Sequence, residues 1–345
     1  MTTAQVEFTA DELLQSHPVA EPLVAGGVRC HGGFDDDGQY VSPRTLHRAP
    51  AIEAWAAQRA EQFGTPDLEV PLETWPGHYP NVAQSAYLVR EGVRQPIVES
   101  LTRIGIVEGF GAMIRDAPVP DLRRLVDEDL TGTASIHLDR GLYEAHGRDE
   151  AGFDAEGGHK AMWFAARDVA FEHPPVKDET DLMASRMAPA LQQDRRWPSD
   201  LDPELEALVA RMVRILLIEV QAFHTFAWAE ELLADPDLVA GDGEAARLVS
   251  YIRSDETPHV GYLSVVLAEL RDRTILGDGG QRHAGTDLLR RIWDPMVATT
   301  LGAGRQLSVA QARDDVVRAL DGNPRASDIL EQFDALATQP SEAHA

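Results

Sequence analysis

The chain has 345 residues, of which 43% are hydrophobic, enough to build a sizeable core. Its 57 acidic and 31 basic residues give a net charge of −26, which argues against nucleic acid or an anionic membrane as a partner. The single cysteine, Cys30, rules out a disulfide framework within one chain. Because we find neither a signal-peptide pattern nor an apolar run of membrane-spanning length, we expect a cytoplasmic protein.

The predicted elements make this an all-α protein with an irregular N-terminal part. Glycine pairs and an Asp-Asp-Asp-Gly run at 35–38 indicate loops up to about residue 80, apart from a short helix over 51–63. Proline- and glycine-containing segments then separate periodic stretches that predict helices over 82–116, 121–146, 157–172, 203–234, 243–273, 284–300, 308–320 and 325–337.

Three regions follow from this division of the chain. We expect an N-terminal extension over 1–80 and a helical bundle over 81–275. The remaining residues, 276–345, should form helices that pack on the bundle or make the contacts of a homodimer.

The helix predicted over 203–234 carries a carboxylate in the middle of its apolar face. The pattern requires an apolar residue at position 219, but Glu219 occupies it. An unpaired buried carboxylate costs several kcal/mol or shifts its pKa strongly. The apolar positions on this face are Leu205, Leu208, Met212, Ile215, Ala222, Phe226, Ala229 and Leu233.

The next helix repeats this departure from an apolar pattern. Glu256 and His259 take two successive positions of its apolar face and, being three residues apart, lie one turn from each other. Glu219 precedes the centre of the connecting turn by about 19 residues and Glu256 follows it by about 18, so an antiparallel hairpin places both carboxylates at one height. Two carboxylates and an imidazole at one level favour a pair of divalent metal ions. The alternative is a buried ion pair or a proton-sharing carboxylate pair.

Three neighbouring residues bear on this site. Asp255 can accept a hydrogen bond from a ligand imidazole, although an ordinary solvent-facing aspartate fits the pattern equally well. Pro258 predicts a kink or bulge at the site, or else a helix that begins near Thr257. His224 lies beside the apolar face, so we expect it to line a pocket or make a hydrogen bond rather than bind metal.

A glutamate followed about 35 residues later by Asp-Glu-x-x-His, on paired helices, resembles the ferritin-like di-iron carboxylate superfamily. That superfamily includes ribonucleotide reductase small subunits, monooxygenase hydroxylases, acyl-carrier-protein desaturases and arylamine N-oxygenases. The resemblance covers about 82–273 and implies a four-helix core, two iron ions (manganese being the alternative) and O₂ as co-substrate. It also implies a small organic substrate and an electron donor or reductase.

A member of this superfamily also needs ligands from the first half of its bundle. Glu108 lies on the apolar face of the helix over 82–116, with a buried ion pair as its alternative role. Two candidate partners stay open. One is Glu156 with His159 at the start of the helix over 157–172, where Glu156 could instead be a helix cap. The other is His137 with Glu144, which follows Glu108 by 36 residues, close to the 37 between Glu219 and Glu256.

The leading hypothesis is therefore an O₂-dependent di-iron oxygenase or oxidase that acts on a small organic substrate. The spacing of His137 and Glu144 is closer to heme-oxygenase-like di-iron oxidases, which form one alternative. A non-catalytic metal-binding or storage bundle and a metal-free helical interaction protein are the others. The expected metal ligands are Glu108, Glu144, Glu156, His159, Glu219, Glu256 and His259, with Asp255, His137 and His224 beside them or lining the pocket.

Overall fold

The computed structural model describes residues 5–19, 21–66, 68, 70–191 and 201–337, and these are mostly helical. The N-terminal elements are α1 (Ala10–Leu13), β1 (Glu21–Ala25), β2 (Val28–Phe34), β3 (Tyr40–Val41) and α2 (Arg48–Phe63). The middle elements are α3 (Val82–Arg90), α4 (Gln95–Gly111), α5 (Leu122–Leu125), α6 (Tyr143–Ala151), β4 (Gly152–Phe153), β5 (Glu156–Gly157), α7 (His159–Ala170) and α8 (Thr180–Leu191). The C-terminal elements are α9 (Pro203–Leu233), α10 (Glu244–Arg271), β6 (Thr274–Leu276), β7 (Arg282–Ala284), α11 (Gly285–Thr299), α12 (Arg305–Ala319) and α13 (Ala326–Leu336).

The helices predicted in the second half of the chain are confirmed, with ends that agree within three residues. Pro203 stands in the first turn of α9, and the carboxylate of Asp202 caps that helix by accepting hydrogen bonds from the backbone N–H groups of Glu204 and Leu205. Helix α10 runs without interruption through Pro258, so the start near Thr257 is not adopted. Within the described residues, no helix is both long enough and apolar enough to cross a membrane.

Two stretches of the first half depart from the single helices predicted for them. The stretch 82–116 is divided into α3 and α4, because Gly92 adopts a left-handed φ of 79° and Pro96 lies in the first turn of a new helix. The stretch 121–146 is helical only at its ends, and a 3-10 turn (Ala134–His137) and a π turn (Leu138–Leu142) precede α6. Gly132 with its φ of 72° helps to break this segment.

A small sheet connects the N-terminal part to the bundle, which the sequence did not predict. Strand β2 pairs antiparallel with β1 and β3, and in parallel with β5 at Cys30 and Gly157. Strand β4 pairs antiparallel with β5. Strands β3, β4 and β5 have two residues each, the longer β2 has four buried residues in succession rather than an alternating pattern, and β5 is distant from β2 in sequence. The pairing of β2 with β5 brings the N-terminal segment beside the start of α7.

Two apolar cores lie along the long helices. Helices α9 and α10 pack against each other and contribute to both cores, α10 also packs on α7, and α7 packs on α4. One core contains Leu216 and Leu263, and the other contains Phe226 and Ile252. Positions 219, 256 and 259 therefore lie where the two cores meet. Helix α11 packs on α9 and α10, α12 packs on α4, and α13 packs on α3.

Glu269 fixes the irregular segment that leads into α6. Its buried carboxylate accepts hydrogen bonds from the backbone N–H groups of Ala134 and Ser135, each at 2.9 Å, and from the Ser135 hydroxyl at 2.6 Å. These are donors at the start of the 3-10 turn, which that turn itself leaves without partners. Glu269 thus supplies, from a distant helix, the hydrogen-bond acceptors that an N-cap residue would supply to a regular helix.

We expect Glu269→Ala to lower the free energy of unfolding by about 2–4 kcal/mol, because three donors in a buried place lose their acceptor. Chemical denaturation followed by circular dichroism measures this. Glu231→Ala, at an exposed position of α9, is the control and should change stability by less than about 0.5 kcal/mol. Equal stabilities of the two variants would contradict the role given to Glu269.

Candidate metal centre

Carboxylate and imidazole groups from five helices converge where the two cores meet. Two overlapping groups of four side chains form, and in each the candidate ligand atoms all lie within 4.8 Å of one another. The seven residues, called the ligand cluster below, are Glu108 from α4, His146 and Glu150 from α6, His159 from α7, Glu219 from α9, and Glu256 and His259 from α10.

Glu256 lies between two imidazoles. Its Oε1 is 2.8 Å from Nδ1 of His159, and its Oε2 is 2.6 Å from Nδ1 of His259. All three side chains are buried. A carboxylate with one oxygen on each side is suited to bridging two metal ions.

Glu150 is the other shared carboxylate, since it belongs to both groups of four. Its Oε1 lies 3.4 Å from Nε2 of His146, one helical turn earlier on α6, and its Oε2 lies 3.4 Å from Nδ1 of His159. His146 Nε2 is also 3.6 Å from Glu219 Oε1, which joins α6 to α9. Gly111 makes room for this arrangement, because a Cβ there would lie only 2.6 Å from the carboxyl carbon of Glu150.

The cluster holds more carboxylates than its imidazoles can neutralise. Burial, together with repulsion from Glu150, raises the pKa of Glu108 to about 8. Burial and the nearby carboxylates of Glu256 and Glu150 raise the pKa of Glu219 well above its usual value. Burial would raise the pKa of Glu256 too, but His159 and His259 hold it well below the usual range. Two divalent cations would balance the four glutamates of the cluster.

Several buried polar atoms of the cluster make no hydrogen bond of good geometry among the described residues, although they face oppositely charged groups 2.8 to 3.6 Å away. They are Oε2 of Glu150, Oε1 of Glu256 and both ring nitrogens of His159. Such groups are rare in protein interiors and call for an explanation such as an ion. Imidazole nitrogens and carboxylate oxygens are ligands of iron and manganese. The thiol of Cys30 stays neutral, because burial raises its pKa to about 12. These buried histidines and glutamates could therefore bind a metal ion.

His259 and His146 each have a hydrogen-bond partner on their other nitrogen, and Nε2 of His159 faces the Asp255 carboxylate at a longer distance. This arrangement orients a metal-binding histidine and fixes its tautomer. It leaves Nδ1 of His159, Nδ1 of His259 and Nε2 of His146 directed into the cluster. The pairs are His259 Nε2 with Asp149 Oδ2 at 2.9 Å, His146 Nδ1 with the Tyr262 hydroxyl at 2.9 Å, and His159 Nε2 with Asp255 Oδ2 at 3.6 Å.

Asp149 is itself held by two arginines of the N-terminal region. Arg44 Nε and Arg48 Nη2 each lie 2.7 Å from an oxygen of this buried carboxylate. Burial alone would raise the pKa of Asp149, but Arg48 and Arg44 hold it well below its usual value. Asp149 thus stays charged beside His259.

Asp255 also receives its partners from the N-terminal region. His31 Nε2 lies 3.1 Å from its Oδ2, and the Tyr40 hydroxyl donates to the same oxygen at 2.9 Å. Gly32 leaves the space in which the Tyr40 ring reaches this carboxylate. The sequence had left open whether Asp255 faces solvent, and the structure places it fully buried between these groups and His159.

Four residues predicted for the site lie outside the cluster. Glu144 binds Arg148 at 2.6 Å, and Glu156 belongs to β5, so it shares no helix face with His159. His137 ends the 3-10 turn and stacks on Trp55 with ring centroids 5.0 Å apart. His224 lies 3.0 Å from the carbonyl oxygen of Leu72 at the surface. The single helix assumed over 121–146 had wrongly aligned Glu144 and His137 with the site.

His146 and Glu150 were missed by sequence reasoning. The available signal was their spacing of four residues, which places both on one face of α6. Helix α6 has only nine residues and follows a π turn, so no apolar pattern gave its orientation. With these two residues the cluster contains a His-x-x-x-Glu pair in place of a second Glu-x-x-His.

A cavity of 380 Å³ opens directly onto the cluster, between the end of α4 and α9. Ile215 and Ala222, on either side of Glu219, are only partly buried because they face this cavity. Its other apolar lining residues include Val107, Phe110, Met113, Ile114 and Ile218, and the cluster contributes Glu108, His146, Glu150 and Glu219.

No protein family, curated protein or solved structure matches this chain. The ligand cluster and the cavity beside it are therefore the features of this chain that bear on its function.

We expect Asp149→Asn to weaken metal binding by about 10- to 100-fold, because His259 loses the charged group that orients it. Asp272→Asn is a matched control. Asp272 is also held by two arginines, Arg59 and Arg271, but contacts no residue of the cluster among the described ones. The Asp272→Asn substitution should lower the free energy of unfolding and leave metal affinity unchanged. Titration of both variants with Fe(II) or Mn(II) measures this, and equal affinities would refute the role of Asp149.

Proposed function

We propose that this protein is an O₂-dependent di-iron oxygenase or oxidase that acts on a small organic substrate. The observation that carries the proposal is the cavity of 380 Å³ whose inner wall is formed by four side chains of the ligand cluster. A metal pair in the cluster would thus be next to a space in which an organic molecule fits. When bound, two iron ions supply the redox chemistry that activates O₂.

The ligand types support a di-iron site of the ferritin-like kind. Glu108 and Glu219 come from separate helices, and Glu256 and His259 form a Glu-x-x-His pair, as in carboxylate-bridged bundles. His146, Glu150 and His159 complete the set and give three nitrogen and four carboxylate ligands. Manganese prefers similar ligands, so metal analysis of the purified protein decides between the two.

The protein's own residues would keep this site ordered and dry. Asp149, Asp255 and Tyr262 orient the three imidazoles. The apolar walls of the cavity limit the water that reaches reactive species. An electron donor or reductase belongs to the proposal, because reductive activation of O₂ consumes electrons.

The cavity also favours an enzyme over a storage protein. A path for metal ions to a storage site is expected to be lined by carboxylates or other metal-binding groups. The walls between Glu219 and the surface are instead formed largely by aliphatic and aromatic side chains, among them Ile215, Ile218 and Phe110. Such a lining suits the apolar part of a substrate.

The first test is metal content after anaerobic iron loading. We expect about two iron ions per chain in the wild type, and Glu219→Ala should lose most of one because a ligand carboxylate is removed. Glu230→Ala, on the same helix but paired with Arg253, is the control and should retain wild-type content. Elemental analysis gives the result, and far less than about one iron per wild-type chain would rule out the proposal.

The same iron-loaded protein distinguishes oxygen chemistry from storage. Addition of peroxide or O₂ should give a transient change in the visible absorption spectrum, with iron content per chain unchanged. Uptake of many further ions during oxidation would instead indicate storage.

A further inference from the structure

Two arginines lie on the face of α9 that lines the cavity. Arg211 and Arg214 precede Glu219 by eight and five residues, which at 1.5 Å per residue places them about 12 and 7.5 Å from it along the helix axis. The cavity therefore has carboxylates of the ligand cluster at one end and guanidinium groups toward the other.

Neither arginine has a carboxylate partner in the described part of the chain. Arg211 Nη1 makes one long hydrogen bond of 3.4 Å to the carbonyl oxygen of Pro118, and Arg214 forms no salt bridge there. Arg44, Arg48 and Arg103, by contrast, each bind an acidic side chain at 2.7 Å or less.

Arg211 and Arg214 place two positive charges at one cavity, which is unfavourable without a counter-ion. Both side chains are partly buried, and burial followed by repulsion from Arg211 lowers the pKa of Arg214. The one lining carboxylate outside the ligand cluster is Asp116, which is exposed to solvent. In a chain of net charge −26, two unpaired guanidinium groups at a cavity point to an anionic ligand.

We propose that the substrate is an amphipathic organic anion whose carboxylate or phosphate group binds Arg211 and Arg214. This assignment rests on the proposed function and specifies the class of its substrate. A planar guanidinium donates two parallel hydrogen bonds to either oxyanion, so the two arginines together fix both position and orientation.

The charges of the cavity also determine which end of the molecule reaches the metals. The oxyanion is attracted by the arginines, whereas the metal-loaded inner end would be nearly neutral, so the apolar end lies beside Glu219 and His146. Ile215 and Ile218 lie between the two ends and contact the apolar body. A volume of 380 Å³ is near the lower end of the range for ligand cavities, which indicates a small acid.

The test compares acids with neutral molecules of the same shape. Benzoate, octanoate and phenyl phosphate are titrated against the iron-loaded full-length chain without O₂, beside benzamide and octanamide, by calorimetry. We expect the acids to bind roughly tenfold or more tightly than the amides. Phenyl phosphate against benzoate shows which oxyanion is preferred.

Variants then assign the effect to the two arginines. Arg211→Gln and Arg214→Gln should each weaken acid binding by roughly tenfold or more and leave amide binding and iron content unchanged. Arg290→Gln, at an exposed position of α11, is the control and should behave as wild type.

The anion proposal is overturned if amides bind as tightly as acids, if no acid binds at millimolar concentration, or if the two glutamine variants bind acids normally. It is also overturned if these variants only slow reduction by a protein electron donor, because the arginines then serve a partner surface. Protein that takes up no iron during anaerobic loading would rule out the di-iron proposal. Arginine-dependent binding of acids to that same iron-free protein would still support the anion site.

Discussion

Three glutamate carboxylates each have an oxygen within 4.8 Å of the Glu150 carboxylate between two apolar cores, where an isolated charge costs several kcal/mol. Three imidazoles relieve part of this repulsion, yet the pKa of Glu219 stays far above its usual value. Charge pairing with the imidazoles therefore leaves part of the repulsion, which protonation of Glu219 would relieve in the metal-free cluster. Divalent cations bound in the cluster would relieve it instead, because they supply positive charge beside Oε2 of Glu150 and Oε1 of Glu256.

Side chains of the N-terminal region hold the two aspartates that contact imidazoles of the ligand cluster. Arg44 and Asp149 are 105 residues apart in sequence, and Tyr40 and Asp255 are 215 apart. The contacts extend from these side chains through Asp149 and Asp255 to His259 and His159. Metal affinity should then depend on how well the small sheet holds the N-terminal segment, because the orientation of each imidazole depends on its outer partner.

The sequence predicted the parts of the site that lie on long amphipathic helices. In α9 and α10 the apolar pattern is regular enough that Glu219, Glu256 and His259 stand out, and their short connection predicts the matching heights. Helix α6 has no regular apolar pattern of this kind, since it is short and its sequence is mostly polar. Its ligand pair is positioned by contacts such as Glu269 with Ser135, which join segments more than 130 residues apart. Local periodicity carries no information about contacts of that range.

The charges of the cavity make metal loading and substrate binding interdependent if both proposals hold. Without cations, the carboxylates at its inner end repel an anion and oppose the attraction of Arg211 and Arg214. With two divalent ions the inner end becomes nearly neutral, and the arginines then dominate the field along the cavity. An organic anion would bind the metal-loaded form more tightly, and by thermodynamic linkage it would also hold the metals more firmly. The pocket would thus select its substrate only in the form of the protein that is able to react with it.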